Sequence, residues 1–76
     1  MVDYKNFLIS DPNILLGKPV IKGTRMTVEL ILQKLSEGAS IDQLLEAYPS
    51  LKKEDVLAVL AYASDIVSNE TIIAVA

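Results

Sequence analysis

The segment Gly17-Lys18-Pro19-Val20-Ile21-Lys22-Gly23-Thr24-Arg25 concentrates the charged chemistry of the chain. It holds three cations and no acid, punctuated by two glycines and a proline. Cations so spaced suit anions, either the phosphates of a nucleic-acid backbone or an acidic protein surface. The same residues also read as a solvated turn whose lysines keep a strand edge from pairing with other chains. The spacing is not that of a nucleotide-binding loop. Gly-x4-Gly-Lys-Ser/Thr is absent, and the separation of Gly17 from Gly23 does not match the dinucleotide fingerprint. A second basic pair, Lys52-Lys53, sits where the last helical segment begins and is placed to touch phosphate or simply to be solvated. Cations at a helix N-terminus oppose its dipole.

Catalysis has little to draw on. The chain contains no cysteine and no histidine, which excludes disulfides, zinc-finger ligation, Cys or His catalysis and an imidazole pH switch. Asp42 and Glu46 lie one helical turn apart and are the closest approach to a cation site. Like-sign acids at that spacing are far more often a solvated helix face. The Ser and Thr residues are accounted for as caps and turns. No enzyme activity, metal or cofactor is expected.

The elements that must position these residues begin with a small N-terminal β-hairpin region, residues 1–26. Phe7-Leu8-Ile9 reads as a short strand closed by the turn Ser10-Asp11-Pro12-Asn13. Ile14-Leu15-Leu16 suits a strand or a short turn, and Val20-Ile21 suits a strand that pairs back, in a tight hairpin carrying Lys18, Lys22 and Arg25. Thr27 is a good N-cap for a helix over Val28 to Glu37, with Val28, Ile31, Leu32 and Leu35 on one face and Gly38 as its C-terminal stop. Ser40-Ile41-Asp42-Gln43 fits a capping box for a short helix from Ile41 to about Ala47, which buries Ile41, Leu44 and Leu45 and ends at Tyr48-Pro49. A third helix is expected from Lys52 or Lys53 to Val67 or Ser68, and Asn69 to Ala76 reads as a strand or tail. The fold class is therefore mainly α: a short N-terminal β-hairpin, a three-helix bundle over 27–68 with a helix-turn-helix reading, and a C-terminal strand, in a single domain over 1–76.

The outward surface expected of the third helix argues against a strong DNA reader. Its expected exposed positions are Glu54, Asp55, Ala58, Ala61 and Asp65, and it offers no Arg, Asn or Gln to base edges before its end. Its apolar residues (Val56, Leu57, Val59, Leu60, Tyr62, Ala63, Ile66 and Val67) cover more than one face. Apolar residues form 51% of only 76 residues, more than so small an interior can hide. Either the third helix is central to the domain and alanine inflates the count, or its second face is buried against another chain; the latter accommodates the excess, with Leu57, Tyr62, Ile66, Ile72 and Ile73 as the candidate interface residues. The net charge of −3 divides unequally, +2 over residues 1–35 and −5 over residues 36–76. If nucleic acid binds, the N-terminal cations must contribute, so Lys18, Lys22, Arg25, Lys52 and Lys53 are the candidate contacts.

The run Gly17-Lys18-Pro19-Val20-Ile21-Lys22-Gly23-Thr24-Arg25, followed by Thr27-Val28-Glu29-Leu30-Ile31-Leu32, resembles a bacterial family known as domain of unknown function 433. The resemblance continues through Leu35-Ser36-Glu37-Gly38, Ile41, Tyr48-Pro49, Asp55-Val56 and Ala61-Tyr62-Ala63, covering roughly residues 8 to 64. It implies a homeodomain-like helix-turn-helix. For some members it implies the antitoxin half of a toxin–antitoxin pair whose partner is a PIN-type nuclease. The family's glycines, threonine and basic residue correspond to Gly17, Gly23, Thr24 and Arg25. Lys52 stands where the family often has Ser or Thr, which removes a helix cap.

Two functions follow as expectations. The first is a small dimeric antitoxin-like or adaptor protein that binds a protein partner such as a nuclease toxin. The second is a DNA-binding transcriptional regulator using the helix-turn-helix and the basic hairpin. The opening residues lack a basic region followed by an apolar run, and the apolar runs are too short to span a membrane, so a soluble, cytoplasmic protein is expected.

Overall fold

The computed structural model describes residues 3–13 and 15–69, apart from the side chain of Leu15. After a 3₁₀ turn over Tyr4–Asn6 comes β1 (Leu8–Ile9), then a second 3₁₀ turn over Leu15–Gly17, β2 (Val20–Ile21), α1 (Val28–Ser36), α2 (Ile41–Ala47) and α3 (Lys53–Ser68). β1 and β2 pair antiparallel, Leu8 opposite Ile21 and Ile9 opposite Val20. On its other side β2 is bridged at Val20 to Thr27, and the Ile21 N–H donates to the Met26 carbonyl at 2.9 Å. The hairpin expectation is thus extended: β2 lies between β1 and the chain that enters α1. Ile14-Leu15-Leu16 takes the turn alternative rather than the strand over its described residues.

Local chemistry explains the turns. The Thr24 N–H donates to the Ile21 carbonyl at 2.9 Å, and Gly23 between them has φ +83°, a backbone region that side chains rarely adopt. Thr24 locks the loop, its hydroxyl donating to the Ile21 carbonyl and accepting from the Met26 N–H. Thr27 caps α1 by accepting from the Leu30 N–H at 3.0 Å. The helix stops at Ser36, with Glu37 as its C-cap, because the Gly38 N–H bonds the Leu35 carbonyl and the Ala39 N–H bonds the Lys34 carbonyl. That is the Schellman arrangement, and Gly38 supplies its positive φ of 100°. At α2 the capping box forms as its residues imply, Ser40 and Gln43 bonding each other's backbone N–H. A turn closed by the Leu51 N–H on the Tyr48 carbonyl, with Pro49 inside it, then redirects the chain and drops Leu51 into the core.

The core lies where both helices and β2 meet α3: Ile21, Val28, Ile31, Leu44, Leu51, Val56 and Val59 form one buried cluster. The N-terminal 3₁₀ turn packs on α3 as well, where Tyr4 meets Tyr62 edge-on with ring centroids 5.4 Å apart, and the Tyr4 hydroxyl donates to the Asp65 carboxylate. Contact on so many sides overturns one expectation. Asp55, Ala58 and Ala61 are buried rather than exposed. The two alanines are small enough for neighbouring elements to close over them. Asp55 turns its carboxylate back onto the Lys52 N–H at 2.9 Å, restoring the capping that Lys52 itself does not provide. No described helix is long and apolar enough to cross a membrane. The expected C-terminal strand over 69–76 lies outside the described residues, Asn69 excepted, which caps α3.

Candidate functional site

The five candidate cations differ in their surroundings. Lys18 is tied to Glu29 in the first turn of α1, Nζ to Oε1 at 2.8 Å, with both side chains largely in solvent. That hydrogen bond and charge hold the Glu29 carboxyl below its ordinary range. Lys18 thus has a local acidic partner, although so exposed a pair is weak. Lys22 and Arg25, by contrast, are exposed on the locked Gly23-Thr24 loop and share a concavity of ≈ 540 Å³ with Ile9 and Val20. Neither makes an ion pair among the described residues. Lys52 and Lys53 are exposed at the start of α3, the positive end of its dipole.

Apolar residues are exposed on more than one side of the fold. Along the outward side of α3 run Lys53, Leu57, Leu60, Ser64 and Val67, successive members four and three residues apart in alternation. Leu57 is half-buried, Leu60 is 40% exposed and Val67 is 67% exposed. Tyr62 lies about 140° around the helix from Leu57, at 3.6 residues per turn, and its ring is engaged by Tyr4 within the chain. It also lines two adjoining depressions of ≈ 290 Å³ and ≈ 260 Å³ that share Pro19. Ile66, 43% exposed, stands one turn beyond Tyr62, about 40° from it around the helix and on the opposite side from the stripe. The structure thus separates Leu57 from Tyr62, and Ile72 and Ile73 lie outside the described residues.

Sequence reasoning passed over Leu16. It is 95% exposed and adopts φ 59°, ψ 30°, the left-handed region that a leucine rarely occupies. The signal for it was present in the apolar pair Leu15-Leu16 immediately before Gly17, where a turn must form. Asp42 is exposed on α2, and no group of three or more acids among the described residues is arranged to hold a metal ion.

Three helices braced by a two-stranded antiparallel sheet, with Leu57, Leu60 and Val67 interleaved with polar residues on the outward side of the longest helix, define a small, mainly helical domain with a partly apolar exposed helix face. The chain belongs to the family described as "Protein of unknown function (DUF433)", whose model matches residues 9–63. It is 37% identical over 59 residues to the uncharacterized protein y4eO of Sinorhizobium fredii (strain NBRC 101917 / NGR234), a match covering 78% of this chain and 27% of that protein. Its fold matches the crystal structure of a DUF433 member protein from Anabaena variabilis ATCC 29413 with a TM-score of 0.78 at 28% identity, covering 84% of this chain and 63% of that one. The chain thus spans about a quarter of the Sinorhizobium protein and under two thirds of the Anabaena one.

Proposed function

We propose that this chain is a small, non-enzymatic, dimeric, cytoplasmic antitoxin-like or adaptor protein that binds a protein partner. A PIN-type nuclease toxin is the partner class to which the family resemblance points. The observation that carries the reading is the outward side of α3. If the three helices are taken as a homeodomain-like helix-turn-helix, α3 is the helix that would enter the major groove. A helix in that role presents Arg, Asn or Gln to base edges. This one presents Leu57, Leu60, Ser64 and Val67 beyond Lys53. Leucines there are ill suited to wet, charged DNA and well suited to a protein. The acidic balance of residues 36–76 suits a cationic partner surface.

A second reading, a DNA-binding regulator, draws on Lys22 and Arg25, which share one concavity and make no ion pair among the described residues. Fluorescence anisotropy with the gene's own upstream DNA and a random duplex, at low and moderate salt, separates the two. The expected result is weak, equal binding or none, together with co-purification of the neighbouring gene's product. Specific, salt-sensitive binding that disappears in a Lys22→Ala/Arg25→Ala variant would establish the regulator instead.

A further inference from the structure

We infer that the outward side of α3 is a self-pairing seam, along which two copies of the chain pack their α3 helices antiparallel, Leu57 against the partner's Val67 and Leu60 against the partner's Ser64. The inference rests on reading that side as a protein-binding surface and names its occupant as a second copy.

The spacing is the first argument. Lys53, Leu57, Leu60, Ser64 and Val67 follow the alternating four-three interval of a coiled-coil seam, in which facing helices interlock side chain into gap. An exposed helix stripe of that period matches another of the same period. In an antiparallel pair the layers alternate between the two kinds of seam position. Leu57 then meets Val67 and Leu60 meets Ser64, twice over by symmetry, with the two-fold axis near residue 62. Each bulky residue faces a smaller one, so the layers fill without two leucines colliding. Ala63, with a methyl side chain, flanks the stripe near its midpoint and permits a close approach of the backbones on that side.

Charge chooses the direction. Lys52 and Lys53 are exposed at the N-terminus of α3, where their own helix dipole disfavours them. Antiparallel packing sets them beside the partner's C-terminal end, which carries the negative pole. Parallel packing would instead place both lysine pairs side by side. Leu57 to Val67 spans about 15 Å of helix, so the buried area falls short of the roughly 800 Å² per partner of a standard interface. Association is accordingly expected in the micromolar range or weaker.

The chain has no cysteine, so single cysteines report the register cleanly. Leu60→Cys and Ser64→Cys variants are mixed, oxidised and compared with each alone. The expected result is a mixed disulfide far in excess of either homodisulfide. Homodisulfides of comparable yield would mean a parallel pair and overturn the inference. In sedimentation velocity from about 10 μM to about 1 mM, the native chain is expected to self-associate and Leu60→Glu to do so at least ten-fold more weakly. Leu60→Glu should keep the circular-dichroism melting curve of dilute native chain, because Leu60 is 40% exposed already. A native chain monomeric throughout, or Leu60→Glu associating unchanged, also overturns the inference. The proposed function fails separately. A monomeric chain that still co-purifies with its partner sinks the seam and the dimeric part of the proposed function but leaves partner binding standing, whereas a dimer that binds specific DNA and no protein sinks partner binding and leaves the seam.

Discussion

Replacing Asp55 by alanine removes the group that starts α3. Its carboxylate accepts from the Lys52 N–H at 2.9 Å and lies in the first turn, where negative charge complements the helix dipole. Because Lys52 is exposed, water can take over part of the freed N–H, so the loss is that of a cap rather than of a buried orphan. A lost cap costs about 0.5–2 kcal/mol and a lost first-turn charge about 0.3–1 kcal/mol, so the combined effect is about 1–3 kcal/mol. For a domain of this size each kcal/mol moves Tm by about 4–8 °C, giving a fall of about 4–24 °C. Asp55→Asn keeps an acceptor oxygen without the charge and should lose about half as much. Thermal and urea unfolding followed by far-ultraviolet circular dichroism at pH 7 measure both. An alanine variant within about 2 °C of the native protein, where a cap is worth several times more, would refute the reasoning. So would an asparagine variant no better than alanine.

Three further outcomes are expected. The Tyr4 phenol is held above its ordinary value of 10.0, first by its hydrogen bond to Asp65 and then by burial and the same carboxylate's charge. A phenol whose folded pKa is raised stabilises fully below the unfolded value and loses that contribution as pH rises through the folded one. Stability should thus fall above pH 10 in the native protein and less steeply in Tyr4→Phe, and parallel alkaline unfolding curves would contradict this. Leu16→Asn should raise Tm by about 2–8 °C, since asparagine tolerates the left-handed backbone and an exposed leucine loses little burial; a fall would show that Leu16 is held by contacts. Ile31, fully buried, should lose about 2–5 kcal/mol as alanine, a large share of the about 4–11 kcal/mol expected of such a chain, lowering Tm by at least about 8 °C. A Tm shift under about 5 °C in that variant would contradict the core assignment.

What the sequence by itself determined is the set of local stops and starts. Thr27, Ser40 with Gln43, Gly38 and Pro49 each act through hydrogen bonds or dihedral limits a few residues long, and α1 and α2 begin and end within two residues of those signals, whereas no N-cap side chain marks the start of α3. Short strands at Phe7-Leu8-Ile9 and Val20-Ile21 were legible from the same kind of local signal, whereas their pairing with each other, Leu8 opposite Ile21, came from the structure. Which side of α3 faces outward was not legible, because its apolar residues surround most of the helix and several rotations satisfy the pattern equally. Only the tertiary structure decided it. The packing of α1, α2 and the N-terminal turn around α3 buried Ala58 and Ala61 and left Leu60 and Val67 in solvent. The same long-range packing joined Lys18 to Glu29 and Tyr4 to Asp65, giving one candidate cation an acidic neighbour and anchoring Tyr62 against its own chain. Caps and turns are set by neighbours in the chain. The exposed seam is set by which elements happen to cover a helix, and that depends on the path of the whole backbone.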